Sequence, residues 1–310
     1  MRVVVTGGAG FIGANLCRHL AGRGDEVVAL DDLSTGREAN LDGVSAELVV
    51  GSFLDDSLLR RTIAGADAIV HLGARPSVPR SIADPVASHE INATGTLRVL
   101  EAARELSDPL VIVASSSSVY GANPVLPKVE TMTAMPMSPY AVSKLASEQY
   151  ALAWQDSFGM RTLALRFFNV FGPLQPAGHA YAAVVPAFVA AALAGEPVTI
   201  HGDGEQTRDF TYVGTVCAVI ADAMVRGVDS RTPVNLAFGT RTSLLEVLAM
   251  IEHVAGYTVE RHHVAPRAGD VRHSQADNAA LLALFPEIEA VPLTTGLGAT
   301  IDWMRQHLLE

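Results

Sequence analysis

The sequence predicts an α/β fold in which a doubly wound parallel sheet is followed by a smaller C-terminal lobe. The chain opens with an apolar strand pattern, a glycine-rich turn and a helix pattern. Short apolar runs then alternate with helix patterns up to about Pro173, which is typical of parallel sheets. After Pro173 loop signals interrupt this alternation, so we expect one domain over residues 1–175 and a second lobe over residues 176–310.

The first strand, turn and helix predict a nucleotide site. Val3 to Val5 form the strand, and Gly7, Gly10 and Gly13 follow it at the start of an amphipathic helix. The first two glycines would let the backbone approach a pyrophosphate, which the N-H groups and the positive end of the helix can hold. Gly13 would permit close packing of the helix on the sheet. This arrangement is typical of the Rossmann dinucleotide-binding unit.

The second predicted strand, residues 26–30, ends at the carboxylates Asp31 and Asp32. An acidic side chain at this place can accept hydrogen bonds from an adenosine ribose. Two carboxylates would repel a 2'-phosphate, so the sequence favours NAD over NADP, although Arg37 nearby leaves NADP open.

The remaining elements of the first domain continue the same alternation. We predict strands over residues 47–50, 68–72, 110–115 and 162–168, and helices over residues 86–106 and around Tyr140. Ligands of such sheets collect at the carboxyl ends of the strands. Ser115 to Ser118 and Asn169 follow two of these strands, so they are candidate site residues.

Composition limits the possible partners. The chain has a formal net charge of -11, with 49% hydrophobic and 18% charged residues, as expected of a well-buried globular enzyme. An acidic surface disfavours nucleic acid and anionic membranes, and we expect a cytoplasmic protein because no leader or long apolar segment is evident. Cys17 and Cys217 are expected to be buried free thiols, and the histidines lack metal-ligand spacing, so we predict no metal.

Tyr140 and Lys144 form the strongest candidate for chemistry. Only two lysines occur in the chain, and Lys144 lies four residues after Tyr140, on the same face of the predicted helix. A neighbouring ammonium can lower the pKa of a phenol, which is about 10 in a free tyrosine, and so make it a base. The pair therefore predicts proton transfer, with a surface pair as the alternative.

Several further motifs extend these observations over the whole chain: residues 71–74, 92–96, 166–173, 201–210 and 266–270. Together with residues 6–13, the serines before Val119 and the Tyr140 motif, they resemble the extended short-chain dehydrogenase/reductase family, in particular its nucleotide-sugar epimerases and dehydratases. The resemblance implies NAD as cofactor and a UDP-sugar as substrate. It also implies a possible homodimer, for which the apolar stripe at residues 97–106 could serve, unless that stripe is core.

The resemblance also implies which residues form the site. The implied cofactor-binding residues are Gly7, Gly10, Phe11, Ile12, Gly13, Asp31, Asp32, Ser52, Phe53, Leu72, Ala74, Asn92, Tyr140, Lys144 and Phe167. The implied substrate-binding residues are Arg80, Ser116, Ser117, Asn169, Val184, Thr199, His201, Arg208, Arg267 and Asp270. Two positions depart from the family pattern. Ser52 and Phe53 replace the usual adenine-contacting carboxylate motif, and Ala183 stands where an asparagine often contacts uridine.

The resemblance implies that Ser116, Tyr140 and Lys144 are catalytic. We predict 4-epimerisation, in which Tyr140 takes the proton of the sugar 4-hydroxyl, Ser116 binds O4 and NAD takes and returns the hydride of C4. Related dehydratases and decarboxylases carry acidic residues directly after the catalytic hydroxyl residue. Here Ser117 and Ser118 occupy those places and cannot replace such acids, which disfavours elimination and decarboxylation.

Arg80 bears on the identity of the sugar. The resemblance places residues 77–81 beside the hexose, where the guanidinium of Arg80 could bind a carboxylate at C6 or could simply be solvated. The sequence is similar to bacterial UDP-glucuronate 4-epimerases of antibiotic pathways, although Asn169 is typical of UDP-glucose 4-epimerases. We therefore favour UDP-glucuronate, with UDP-glucose as the alternative and a non-catalytic NAD-binding regulator as a further one.

Overall fold

The computed structural model describes residues 1–106, 108–177, 183–266 and 271–307. It contains a seven-stranded parallel sheet with the strand order β11-β6-β5-β4-β1-β2-β3. The strands of this sheet are β1 (Arg2–Thr6), β2 (Glu26–Asp31), β3 (Ala46–Val50), β4 (Ala68–His71), β5 (Leu110–Ser116), β6 (Thr162–Phe167) and β11 (Val234–Leu236). The sheet and its flanking helices confirm the predicted α/β class.

Helices cover both faces of the sheet. The described α-helices of the whole chain are α1 (Phe11–Gly22), α2 (Asp56–Ile63), α3 (Val78–Ala83), α4 (Pro85–His89), α5 (Gly95–Ala103), α6 (Pro139–Phe158), α7 (Val184–Ala194), α8 (Val213–Arg226), α9 (Leu244–Ala255), α10 (Ala279–Leu284) and α11 (Leu293–His307). Helices α1 and α8 pack together on one face, and α2, α5 and α6 cover the other. Strand β1 is buried on both sides, because Val3 and Val5 face one core and Val4 faces the other.

The strand register brings the carboxyl ends of the central strands to one edge of the sheet. Thr6 at the end of β1 pairs with Leu30 and His71, and Ser116 at the end of β5 pairs with Phe167. The glycine turn, Asp31 and the serine run therefore meet at this edge, where parallel sheets bind ligands.

A second core lies beside the sheet. It is formed by helices α7, α9 and α11 with strands from two of the three two-stranded ribbons. The ribbon strands are β7 (Asn169–Phe171), β8 (Val198–His201), β9 (Thr207–Arg208), β10 (Phe210–Tyr212), β12 (Thr242–Ser243) and β13 (Arg261–Val264). The domain boundary at residue 175 stays a prediction. Helix α8 and strand β11 come after it in the chain, and yet they belong to the layers of the main sheet.

The prediction of a single helix over residues 86–106 is wrong in one respect, because the α-helix is interrupted. Helix α4 passes into a π-helical turn at Glu90–Thr94, which continues into α5. The turn inserts a residue into the helical repeat and directs Asn92 into the interior, where it is buried. Such turns cannot be read from hydrophobic periodicity, and they are frequent at functional sites.

Three further observations concern the cysteines, metal ligands and membrane spans. Cys17 and Cys217 are buried free thiols. Within the described residues, no group of three or more His, Cys, Asp or Glu side chains is placed to hold a metal ion. Among the helices that the structure describes, none is both long and apolar enough to cross a membrane.

Candidate functional site

Two adjoining cavities lie at the carboxyl edge of the sheet. A cavity of about 790 Å³ extends from the glycine turn to Tyr140, and one of about 540 Å³ lies against helix α7 and strand β8. Asn169, Val170 and Gln175 line both of them. A long ligand can therefore pass from one cavity into the other.

The larger cavity collects most of the predicted cofactor residues. Its wall includes Gly7, Gly10, Phe11, Ile12, Gly13, Asp31, Asp32, Phe53, Leu72, Ala74, Tyr140, Lys144 and Phe167. Ser52 and Asn92 do not belong to this wall. The Ser52 hydroxyl accepts the Leu54 N-H at 3.1 Å. Asn92 lies behind the wall, where its side-chain oxygen accepts the N-H of Arg75.

The glycines of the turn pack so closely on neighbouring backbone that a side chain would clash. Gly7 has a φ of +69°, and a Cβ on Gly13 would lie 2.1 Å from the Gly7 carbonyl oxygen. No side chain caps the start of α1 at Gly10. The first N-H groups of the helix therefore face the cavity, and they fit the pyrophosphate of a dinucleotide.

Asp31 closes the other side of this turn. Its carboxylate accepts the N-H of Ala9 at 3.0 Å and that of Leu33 at 2.8 Å. Burial raises the pKa of Asp31, while these backbone hydrogen bonds lower it. Asp32 accepts the N-H of Ser34 at 3.0 Å. Both carboxylates line the cavity, and they fit the hydroxyls of an unphosphorylated ribose.

Ser116, Tyr140 and Lys144 all line this cavity, at the ends of β5 and the start of α6. Ser138 caps α6 by accepting the Ala141 N-H at 3.2 Å, and Pro139 occupies the first turn, so the sequence defines where this helix begins. The Lys144 ammonium donates to the Ala114 carbonyl oxygen at 2.9 Å. Burial lowers the pKa of Lys144 to about 8.

The protein's own groups act on Tyr140 in opposite directions. Burial raises the pKa of Tyr140, and the hydrogen bond with Ser116 lowers it. The Lys144 ammonium faces a backbone carbonyl, and its expected lowering of the pKa of Tyr140 stays a prediction.

A buried chain of hydrogen bonds, missed by sequence reasoning, supports the wall. His71 Nδ1 lies 2.7 Å from the Thr6 hydroxyl and Nε2 lies 3.1 Å from the Thr96 hydroxyl. The Thr96 hydroxyl can donate to the Asn92 carbonyl at 2.6 Å or to Ser147 at 3.0 Å, so its proton is used away from the histidine. His71 must then carry its proton on Nε2 and accept from Thr6 at Nδ1. Burial lowers the pKa of His71 to about 3, and the positive charge of Lys144 is the smaller cause of the same shift.

A buried ion pair stands behind the serine run. The side chains of Arg166 and Glu148 are 4% and 0% exposed, and Nη2 of Arg166 lies 2.7 Å from Oε1 of Glu148. Glu148 Oε2 also accepts the Ser115 hydroxyl at 2.8 Å, and the Arg166 guanidinium lies over the Tyr120 ring. The pair fixes the end of β5, and no spacing of charged residues in the sequence predicts it.

The smaller cavity collects predicted substrate residues. Asn169, Val184, Thr199, His201 and Arg208 line it, as does Ala183. The Asn169 amide donates to the Asp209 carbonyl at 3.2 Å, and Arg208 Nη1 donates to the Thr207 carbonyl at 2.9 Å. Arg267 and Asp270 lie outside the described residues.

Gln175 is a candidate that the sequence did not single out. It lies where the two cavities meet, and its amide donates to the Val170 carbonyl at 3.1 Å. Its Oε1 atom is buried without a hydrogen-bond partner in the described structure. Arg80 and Ser117 line the larger cavity near Ser116.

The site combines a nucleotide-binding turn with a tyrosine that has a serine partner, and a second cavity offers room for a long ligand. These features are typical of NAD-dependent enzymes. The model of the NAD dependent epimerase/dehydratase family matches residues 3–237, and the chain belongs to this family. NAD is its cofactor, which agrees with the fit of the glycine turn and Asp31.

The chain is similar to several proteins over nearly its whole length. It is 36% identical to a UDP-glucose 4-epimerase of Mycolicibacterium smegmatis, covering 98% of this chain and 99% of that protein. A UDP-N-acetylglucosamine 4-epimerase of Methanobrevibacter ruminantium, solved with UDP-N-acetylmuramic acid, has a TM-score of 0.93 at 33% identity, with 98% of each chain covered. A UDP-glucuronic acid 4-epimerase of Bacillus cereus, solved with UDP-glucuronic acid and NAD, has a TM-score of 0.88 at 28% identity, with 99% of each covered.

Proposed function

We propose that this protein interconverts the C4 epimers of a UDP-sugar, with UDP-glucuronate and UDP-galacturonate as the preferred pair. The proposal rests on one arrangement: Ser116, Tyr140 and Lys144 line the same cavity as the glycine turn, while Ser117 and Ser118 follow Ser116. The relatives that act on UDP-glucose, UDP-N-acetylglucosamine and UDP-glucuronic acid all agree with this chemistry but differ in the sugar.

The chain's own residues account for the proton. Tyr140 removes the proton of the 4-hydroxyl, and Ser116 holds O4 while it stabilises the phenolate. NAD, held by the glycine turn and Asp31, would supply the acceptor and donor for the hydride of C4. Lys144, held on the Ala114 carbonyl, keeps a positive charge at this end of the cavity. Elimination of water or carbon dioxide needs a further acid, which Ser117 and Ser118 do not provide.

Arg80 favours a uronate over a neutral hexose. It lines the cavity that contains Ser116 and Tyr140, and the structure gives its guanidinium no partner among the described residues. In a protein with a net charge of -11, a guanidinium facing a sugar site fits a carboxylate at C6. UDP-glucose remains the second candidate, because Asn169 lines both cavities and is typical of enzymes that use it.

The test is incubation of the purified protein with UDP-glucuronate and with UDP-glucose in D2O, without added reductant, followed by chromatography and mass spectrometry. An isomer of unchanged mass supports epimerisation with internal return of hydride. Loss of water or carbon dioxide, each accompanied by uptake of one solvent deuteron at carbon, would replace the proposal. Arg80→Ala should lower uronate turnover more than hexose turnover, and the exposed Arg61→Ala should change neither.

A further inference from the structure

Arg75 lines the same cavity as Arg80. Its backbone N-H and carbonyl are both hydrogen-bonded to one side chain. The Asn92 carboxamide accepts the Arg75 N-H at 2.7 Å and donates to the Arg75 carbonyl at 3.3 Å. Asn92 in turn donates to the Ser143 hydroxyl at 2.9 Å, next to Lys144 in α6. The origin of the Arg75 side chain is therefore fixed relative to the catalytic helix.

The chain after Arg75 adopts a strained turn. Ser77 has a φ of +99°, which is rare for a residue other than glycine. Its hydroxyl accepts the Arg80 N-H at 3.4 Å and so begins helix α3. The turn returns the chain to the cavity, and Arg75 and Arg80 both line it. Strain of this kind persists where the surrounding structure holds it and is frequent at ligand sites.

The Arg75 guanidinium has a partner that it can leave. Its Nη1 lies 3.2 Å from Oδ2 of Asp84, and the two side chains are 29% and 48% exposed. A pair this exposed contributes little to stability. Asp84 does not depend on it, because its other oxygen accepts the Ala87 N-H at 3.1 Å and caps helix α4.

We propose that Arg75 is a specificity-determining residue that binds the sugar carboxylate, and that Asp84 competes with the substrate for it. This inference rests on the proposed function and adds a second guanidinium to the same sugar site. The guanidinium turns from the Asp84 carboxylate to the carboxylate of the ligand, which fits its planar donors equally well. Asp84 also repels a bound uronate, so the two partners of one ion pair act on uronate turnover in opposite directions.

The experiment compares Arg75→Gln, Arg75→Lys and Asp84→Asn with the wild type and with Arg61→Gln as control. The readout is the ratio of kcat/KM for UDP-glucuronate to kcat/KM for UDP-glucose, together with NAD affinity. Arg75→Gln should lower the ratio about tenfold, and Arg75→Lys should restore part of it. Asp84→Asn keeps an oxygen for the helix cap and should raise the ratio about threefold.

The outcomes separate the inference from the proposed function. Equal losses with both sugars in Arg75→Gln and Asp84→Asn would make the pair purely structural and overturn the inference, while epimerisation by the wild type would still stand. A fall in NAD affinity in Arg75→Gln, with an unchanged ratio, would assign Arg75 to the cofactor and also overturn it. A wild type that converts neither sugar would overturn both.

Discussion

The Lys144 ammonium donates to the Ala114 carbonyl oxygen at 2.9 Å, one residue before the serine run of β5 begins. This contact joins helix α6, which carries Tyr140, to the strand that carries Ser116. The hydrogen bond between Ser116 and Tyr140 lowers the pKa of Tyr140, which burial raises.

Ser116→Ala should therefore shift the pH dependence of catalysis. The Ser116 hydrogen bond lowers the pKa of Tyr140, so its loss raises that pKa and reduces the phenolate fraction at a given pH. We expect the acidic limb of the kcat/KM profile to move to higher pH, as measured by initial rates of epimerisation. An unshifted limb with a lower rate would mean that Ser116 acts only on the substrate.

Tyr140→Phe should lower kcat by about 10² to 10⁴, because it removes the general base while it keeps the ring. NAD binding, measured by calorimetry, should remain. Tyr257→Phe makes the same change at an exposed tyrosine that lines neither of the two cavities, and it should keep kcat. Turnover near the wild-type level in Tyr140→Phe would assign the proton to another group.

The glycine turn offers a matched pair of substitutions in one helix. Gly13→Ala places a Cβ 2.1 Å from the Gly7 carbonyl oxygen, whereas a Cβ on Gly22 meets nothing within 4 Å. We expect Gly13→Ala to weaken NAD binding at least about tenfold by displacing the turn. Gly22→Ala should bind NAD normally and gain about 0.5 kcal/mol of stability. Calorimetry and thermal unfolding measure the two effects, and equal NAD affinities would contradict the role of the turn.

His71 should make stability fall on acidification. Its pKa is lowered to about 3 in the fold, from an ordinary value of 6.5, so between these values the unfolded chain binds a proton that the folded chain does not. The free energy of unfolding should therefore decrease by up to about 1.4 kcal/mol per pH unit below pH 6.5 from this group. In His71→Asn this part of the slope should disappear, whereas His253→Asn, at an exposed site, should keep it. Urea unfolding between pH 5 and pH 7 gives the slopes.

Glu148→Gln should cost about 3 to 5 kcal/mol of unfolding free energy, since it leaves the Arg166 charge buried without its partner. The partly exposed helix pair of Asp222 and Arg226 provides the comparison. Asp222→Asn should cost no more than about 1 kcal/mol. Denaturant unfolding measures both losses of unfolding free energy. Similar losses in the two variants would show that burial of the Glu148–Arg166 pair adds little to the cost of breaking it.

The sequence by itself determined the parts of this protein that depend on local pattern. Apolar runs placed the strands from β1 to β6, the glycine spacing placed the turn before α1, and Ser138 with Pro139 defines the start of α6. These features follow from steric and hydrogen-bonding rules that act within a few residues. The four-residue spacing of Tyr140 and Lys144 likewise placed both in one cavity wall.

Only the tertiary structure decided what depends on distant residues. The contacts of Asn92 in the π-helical turn, the burial of His71 between Thr6 and Thr96, and the pairing of Glu148 with Arg166 join segments that are 17 to 65 residues apart in the chain. The partner of Lys144 was also decided there, because a buried ammonium takes the nearest acceptor that the packed backbone offers, and the sequence contains no signal for which carbonyl that is.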